Sequence, residues 1–265
     1  HGVNMYDYSA RYKDEWRFTT VDPLAEKYYS WSPYTYVMNN PLKYIDPTGM
    51  APVYDENGNL IGTTEDGLQG DAIFMNVKNF TQGMSNKDAS KYNIGMDALG
   101  DKAKESYLLS FSGLKDRPDY DGIITLSEAN EWYRNGNGQP LYVDVSKIDL
   151  KGVDITMLKI GEEQGYNFKL LNGANSSTGL VYGTLAITLL DEQGNVSLVP
   201  NKYSSIGAID DYSFEMREGQ PLRNVATVLG QTVAGGGNSF LFKGYGNAKI
   251  QTKPHKTNPF TGHRY

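Results

Sequence analysis

GLVYGTLAITLLDEQGNVSLVPNKYS, residues 179–204, alternates Val181, Gly183, Leu185, Ile187 and Leu189 on one face of an extended chain. That is the period of a half-buried strand. Gly194-Asn195 supplies a tight turn, and Val196 and Leu198 come back on a second strand. Upstream, LYVDVSKIDL (residues 141–150) alternates in the same way. Downstream lies DDYSFEMREGQPLRN, Asp210 to Asn224, which puts two acids, a tyrosine and an arginine around Phe214. Leu222, Val225, Ala226, Leu229 and Val233 then recur at helical spacing, and the glycines after Ala234 end that helix. SFLFKGYGNAKI (residues 239–250) reads as a closing strand pair with glycines where backbones approach closely. Strands, one helix and more strands predict an α+β fold, mostly antiparallel, with a small curved sheet or barrel carrying one helix over residues 141–252.

Composition is consistent with a folded domain. The 265 residues are 39% hydrophobic and 21% charged, and 20 tyrosines with 29 glycines favour strands joined by tight turns. Disulfide and thiolate chemistry are excluded because there is no cysteine. No apolar run reaches 18 residues. Net charge is −6, yet no acid follows Glu218, while Arg223, Lys243, Lys249, Lys253, Lys256 and Arg264 all do. Such a basic face, with its tail over 253–265, attracts anions or a membrane surface; a solvated terminal stretch has the same composition.

Residues 51–140 read as a helical and loop connector. Asn57-Gly58, flanked by apolar residues, signals a hairpin, and the best helical segment is Asp101 to Phe111. RPDYDGIITLSE (residues 117–128) has the outline of a twelve-residue EF-hand loop. Gly122 takes the sixth position, Asp119 and Asp121 the third and fifth, the Ile123 carbonyl the seventh and Glu128 the twelfth, so these four residues are candidate calcium ligands. Arg117 puts a cation at the first position. An acidic turn that caps the following helix through Thr125 or Ser127 fits the same residues.

Residues 1–50 have another texture, rich in Tyr, Pro and Asn. YDYSAR, DPLAEKY, WSPYTYVMNNP and the closing Pro41-x-x-x-x-Asp46-Pro47-x-Gly49-Met50 follow one another in the order found in RHS/YD-repeat proteins. The segment resembles the end of that family's core shell, a bacterial β-shell carrying a variable C-terminal toxin. The resemblance implies that the module begins after Met50 and is delivered from the cell surface or by secretion. The rest of the shell and an immunity protein are its implied partners. It also implies self-cleavage by paired aspartates, for which Asp22 and Asp46 are the matching residues. One carboxylate would act as base while the other stays protonated. Asp22-Pro23 is also a helix start, and Asp46-Pro47-Thr48-Gly49 a plain turn.

A second resemblance covers about residues 166–250. Tyrosine-glycine, strand, turn, strand, then Asp210-x-Tyr212-x-Phe214, an arginine at 223, a helix with Gly230 and a final strand pair are similar to the catalytic module of colicin M-type bacteriocins. The resemblance implies cleavage of lipid II on the periplasmic side of a target membrane, with magnesium accompanying the substrate. Asp210, Tyr212 and Arg223 match the family's catalytic positions. Ser213 stands where the pattern has a second aspartate, and Leu222 where it has histidine. Asp211, Glu215, His255 and His263 are the groups available to fill the acid side. A module that has lost catalysis and only binds or adheres is a second expectation. A nuclease is a third, from the two histidines in KPHKTNPFTGHRY; no acidic metal cluster surrounds them, so nucleic acid is not an expected partner.

Overall fold

The computed structural model describes residues 6–8, 11–13, 51–173, 176–214 and 234–250. The chain divides into two units, His1–Gly49 and Met50–Tyr265. In the first, β1 (Tyr6–Tyr8) pairs antiparallel with β2 (Arg11–Lys13). The second unit is α+β, with three small sheets and five α-helices among the described residues.

Its first sheet begins at the expected hairpin. β3 (Pro52–Tyr54) turns back into β4 (Leu60–Thr63), and β5 (Ile73–Phe74) joins β3 in parallel. The turn is closed by Asp55, whose Oδ1 accepts the backbone N–H groups of Asn57 at 2.8 Å and Asn59 at 2.9 Å. Gly58 adopts φ +77°, and a Cβ there would collide with the Ala103 carbonyl. Only glycine lets α2 (Asp101–Ser112) pack directly over the turn. α2 then buries Ala103 and Tyr107, with the Tyr107 ring edge-on to Tyr54 at 5.0 Å and to Phe74 at 4.8 Å. A shorter helix, α1 (Asn86–Tyr92), is capped by the Ser85 hydroxyl.

The loop after α2 leads into α3 (Leu126–Asn135), which starts at a capping box: Thr125 Oγ1 accepts the Glu128 N–H, and Glu128 Oε2 accepts the Thr125 N–H at 2.8 Å. Of the two candidate caps, Thr125 fills the role. Ahead of it, Arg117 and Asp119 form a buried fork. Nε donates to Oδ1 at 2.8 Å and Nη2 to Oδ2 at 2.7 Å, and Nη2 also reaches the Pro140 carbonyl at 2.8 Å. Asp119 Oδ2 takes the Tyr142 N–H at 2.7 Å, and the guanidinium lies 4.7 Å from the Trp132 ring centroid.

From here the chain builds two further sheets. β6 (Leu141–Asp144), β10 (Ala208–Tyr212) and β11 (Phe240–Tyr245) form one, in the order β10-β11-β6, antiparallel then parallel. β7 (Glu163–Asn167), β8 (Thr184–Leu189), β9 (Asn195–Ser197) and β12 (Ala248–Lys249) form the other, all antiparallel. Two short helices, α4 (Phe168–Leu171) and α5 (Ser177–Val181), link β7 to β8. Leu185, Ile187 and Leu189 are buried along β8, as alternation predicts. They join Phe168, Leu141, Val143, Phe240 and Phe242, together with Ala129 and Tyr133 of α3, in one core. Each Leu, Ile, Val and Phe side chain among them contributes about 1.5–3 kcal/mol by leaving water.

Four expectations change. No closed barrel forms among the described residues; the strands make separate small sheets. The strand expected from Val181 begins at Thr184, because α5 occupies Ser177–Val181 and Gly183 turns the chain at φ +69°. β6 does not present alternate residues to solvent. Tyr142 is 2% exposed because the second sheet face is covered by Leu68 and Leu114, as a parallel-paired strand requires. β11 and β12 do not pair with each other: Gly246, at φ +75°, turns the chain so that β12 joins β9 in the other sheet. The helix expected over residues 222–233 lies outside the described residues.

Replacing Arg117 with alanine would leave Asp119, fully buried, without its counter-charge. The expected cost is about 3–5 kcal/mol, read as a shift in the urea midpoint.

Candidate functional site

β10 carries the two described residues of the proposed catalytic set. Its register slips between Ala208 and Asp210, so that Ile209 is an extra residue opposite β11. Ile209 is 2% exposed and its Cγ2 fills the space that a side chain at Gly244 would need. The bulge restarts the alternation at Asp210, which then faces the same way as Tyr212. Asp210 stands opposite Phe242 and Tyr212 opposite Phe240.

The face they share is an aromatic wall. Tyr212 stacks on Phe240 at 5.1 Å, and Phe214 meets it edge-on at 5.4 Å. Tyr182 packs edge-on to Phe242 at 5.0 Å. Burial pushes the Tyr182 phenol well above its ordinary range, and the negative charge of Asp210 raises it further. Asp210, half-buried, thus lies close enough to Tyr182 for its charge to act on that phenol.

Tyr212 is held differently from what the catalytic reading requires. Its hydroxyl donates to Asn130 Oδ1 on α3 at 2.7 Å, in a buried contact. Burial first, with Tyr133 adding to it and Arg134 opposing, pushes its pKa up to about 12. Ser213 turns to the other side, where its Oγ donates to Asp211 Oδ2 at 2.6 Å while Tyr203 donates to Asp211 Oδ1 at 3.0 Å. Asp211 is thus engaged by two hydroxyls on the sheet face opposite Asp210. Arg223, Leu222, Glu215, His255 and His263 lie outside the described residues, as do Asp22 and Asp46.

The four residues of the calcium-loop expectation are all described, and each has a partner within the chain. Asp119 binds the Arg117 guanidinium; Asp121 Oδ1 accepts the Ile123 N–H at 2.9 Å; Glu128 closes the capping box. Arg117, at the position where the loop pattern has its first carboxylate, supplies the positive charge itself. Among the described residues no group of three or more His, Asp or Glu side chains is arranged to hold a metal ion. Calcium and a chelator are accordingly expected to give the same melting temperature.

Sequence reasoning missed Asn130 and Tyr203. Asn130 sits in a helix 82 residues away from the tyrosine it serves, and nothing local marks it. It also missed a cleft of about 670 Å³ between residues 148–156 and the end of β12.

No family model matches the chain, and no curated protein matches it. Among solved structures, truncated bacteriocin syringacin M from Pseudomonas syringae pv. tomato DC3000 is similar over 57% of this chain and 74% of that chain, at 13% identity and a TM-score of 0.32. Overlap at that level does not establish a common fold.

The tyrosines give a pH signature. Tyr107 and Tyr212 both have their pKa raised from 10.0 to about 12, chiefly by burial, so the folded state keeps protons that the unfolded state loses. Stability is then fully present below pH 10 and falls as pH rises from 10 to 12. The part of the tyrosinate absorbance that belongs to Tyr107 and Tyr212 is expected to appear together with the loss of circular dichroism in that window.

Proposed function

We propose that the chain is the C-terminal effector region of an RHS-type bacterial toxin, and that its second unit hydrolyses the phosphoester link of lipid II with Asp210 as general base. The observation that carries this reading is the position of Asp210: a half-buried carboxylate placed by a β-bulge on an aromatic wall beside Tyr182. A carboxylate partly shielded from water can take a proton from an attacking water molecule. The remaining demands are charge on the pyrophosphate and a proton for the leaving oxygen. Arg223 is proposed for the first, through a bidentate contact, and for the second the proton that Asp210 takes from the attacking water is proposed to pass to the leaving lipid oxygen as its bond to phosphorus breaks. Magnesium arriving with the substrate would add to the charge of Arg223. The landmarks of residues 1–50 support delivery from a shell, with an immunity protein protecting the producer.

Tyr212 supports this chemistry indirectly. With its hydroxyl on Asn130 and its ring on Phe240, it fixes β10 and so the direction of Asp210. The same fact favours a second reading, a binding module without catalysis, because the hydroxyl is already committed inside the core. Ser213, tied to Asp211, supplies no second acid.

The two readings separate in one assay. The full chain with lipid II and magnesium is expected to release the lipid alcohol and the pyrophosphorylated sugar. Asp210→Asn should lower the rate by about 10²–10⁴-fold, the range for loss of a general base, with an unchanged melting temperature. Intact lipid II at stoichiometric protein would leave the binding module. Toxicity on periplasmic but not cytoplasmic expression would exclude the nuclease.

A further inference from the structure

Lys243 on β11 has no role in the chemistry above. Phe240 and Phe242 of the same strand belong to the main core, so alternation turns Leu241, Lys243 and Tyr245 to the opposite face of the sheet, away from Asp210. There Lys243 is half-buried in the middle strand. Its cross-strand neighbours are Tyr142 on β6, 2% exposed, and Ala208 on β10, fully buried.

The charges around it are matched with one another and leave the amine alone. Arg117, 5.6 Å from the Tyr142 ring centroid, is forked to Asp119. Asp144, opposite Tyr245, lies 3.4 Å from the Lys147 ammonium. Asp211, the next residue of β10 on this face, accepts the hydroxyls of Tyr203 and Ser213. Gln82, which donates to the Gly244 carbonyl at 3.2 Å, is uncharged. Among the described residues Lys243 has neither an ion pair nor a hydrogen bond. Burial therefore acts on it unopposed and pulls its pKa below the ordinary lysine value of 10.5.

Two kinds of ligand suit a lysine. An anion needs the ammonium, whereas a carbonyl carbon needs the lone pair of the neutral amine. Withdrawal from water without a counter-charge disfavours the first form and favours the second.

We propose that Lys243 is a nucleophilic amine that captures a small aldehyde as an imine. The lone pair of Nζ attacks the carbonyl carbon while the carbonyl π pair moves to oxygen, which takes up a proton. The carbinolamine then expels that oxygen as water while C=N forms, the two protons lost from nitrogen balancing those carried off in the water. No electron is gained or lost overall. The aldehyde must be small because the amine stands between two paired strands.

The test is trapping of the imine in the full 265-residue chain with limiting propanal and cyanoborohydride, followed by peptide mass mapping. Lys102 of α2, which is exposed, serves as the internal comparison. At neutral pH Lys243 is expected to be labelled several-fold more than Lys102, although it is the less accessible of the two. The preference should shrink as pH rises through 10.5, where ordinary lysines also become neutral, and should vanish in guanidinium chloride. Equal or weaker labelling of Lys243 at neutral pH, a preference that does not change with pH, or one that survives unfolding would each overturn the proposal. Lys243→Met removes an unpaired charge from a half-buried place, so it should fold with an unchanged or higher melting temperature and lose the preferred adduct. Asp210→Asn should be labelled like the parent chain, so failure of the hydrolase reading leaves this result standing.

Discussion

Arg117 and Asp119 tie the loop before α3 to the start of β6. Taking two charges out of water costs several kcal/mol for each, and only a bidentate contact with further hydrogen bonds offsets it. Here the fork is complete. Asp119 also accepts the Tyr142 N–H, and Arg117 also donates to the Pro140 carbonyl, so the pair sets where β6 begins. β6 in turn provides the parallel neighbour of β11, and β11 the partner of β10, on which Asp210 stands. A single buried ion pair therefore precedes the candidate site by two strands.

The same pair explains what became of the loop pattern in residues 117–128. An EF-hand loop converges carboxylates on a cation, and the arginine at its first position brings a cation covalently attached. Gly122 keeps its bend, at φ +77°, with the Tyr245 hydroxyl lying where a Cβ would go and the Gly122 carbonyl accepting the Asp144 N–H at 3.0 Å. Through these contacts the loop docks α3 against β6.

Much of the architecture was legible because it is written in short-range signals. The Asn57-Gly58 turn, the helix at Asp101, the cap at Thr125 and the alternation along β8 depend on neighbours within a few residues. What escaped depends on distant partners. Alternation in LYVDV specifies one buried face, and it says nothing of a second face that Leu68 and Leu114 cover. Adjacency in SFLFKGYGNAKI suggested a pair, while the two strands separate to different sheets. At the site, Asp210 was legible as a candidate, but the commitment of Tyr212 to Asn130 was not, because no periodicity links a helix to a strand so far along the chain.

The position of β11 has a consequence for how the molecule is made. The middle strand of its sheet is the last of the three in sequence: β6 ends at Asp144 and β10 at Tyr212, while β11 starts at Phe240. During synthesis β6 and β10 emerge with no strand between them, and the sheet remains incomplete until residue 245 is available. Closure is thus tied to completion of this stretch rather than to any earlier step. A ribosome that stops short of it releases a chain in which β6 and β10 lack the strand that joins them.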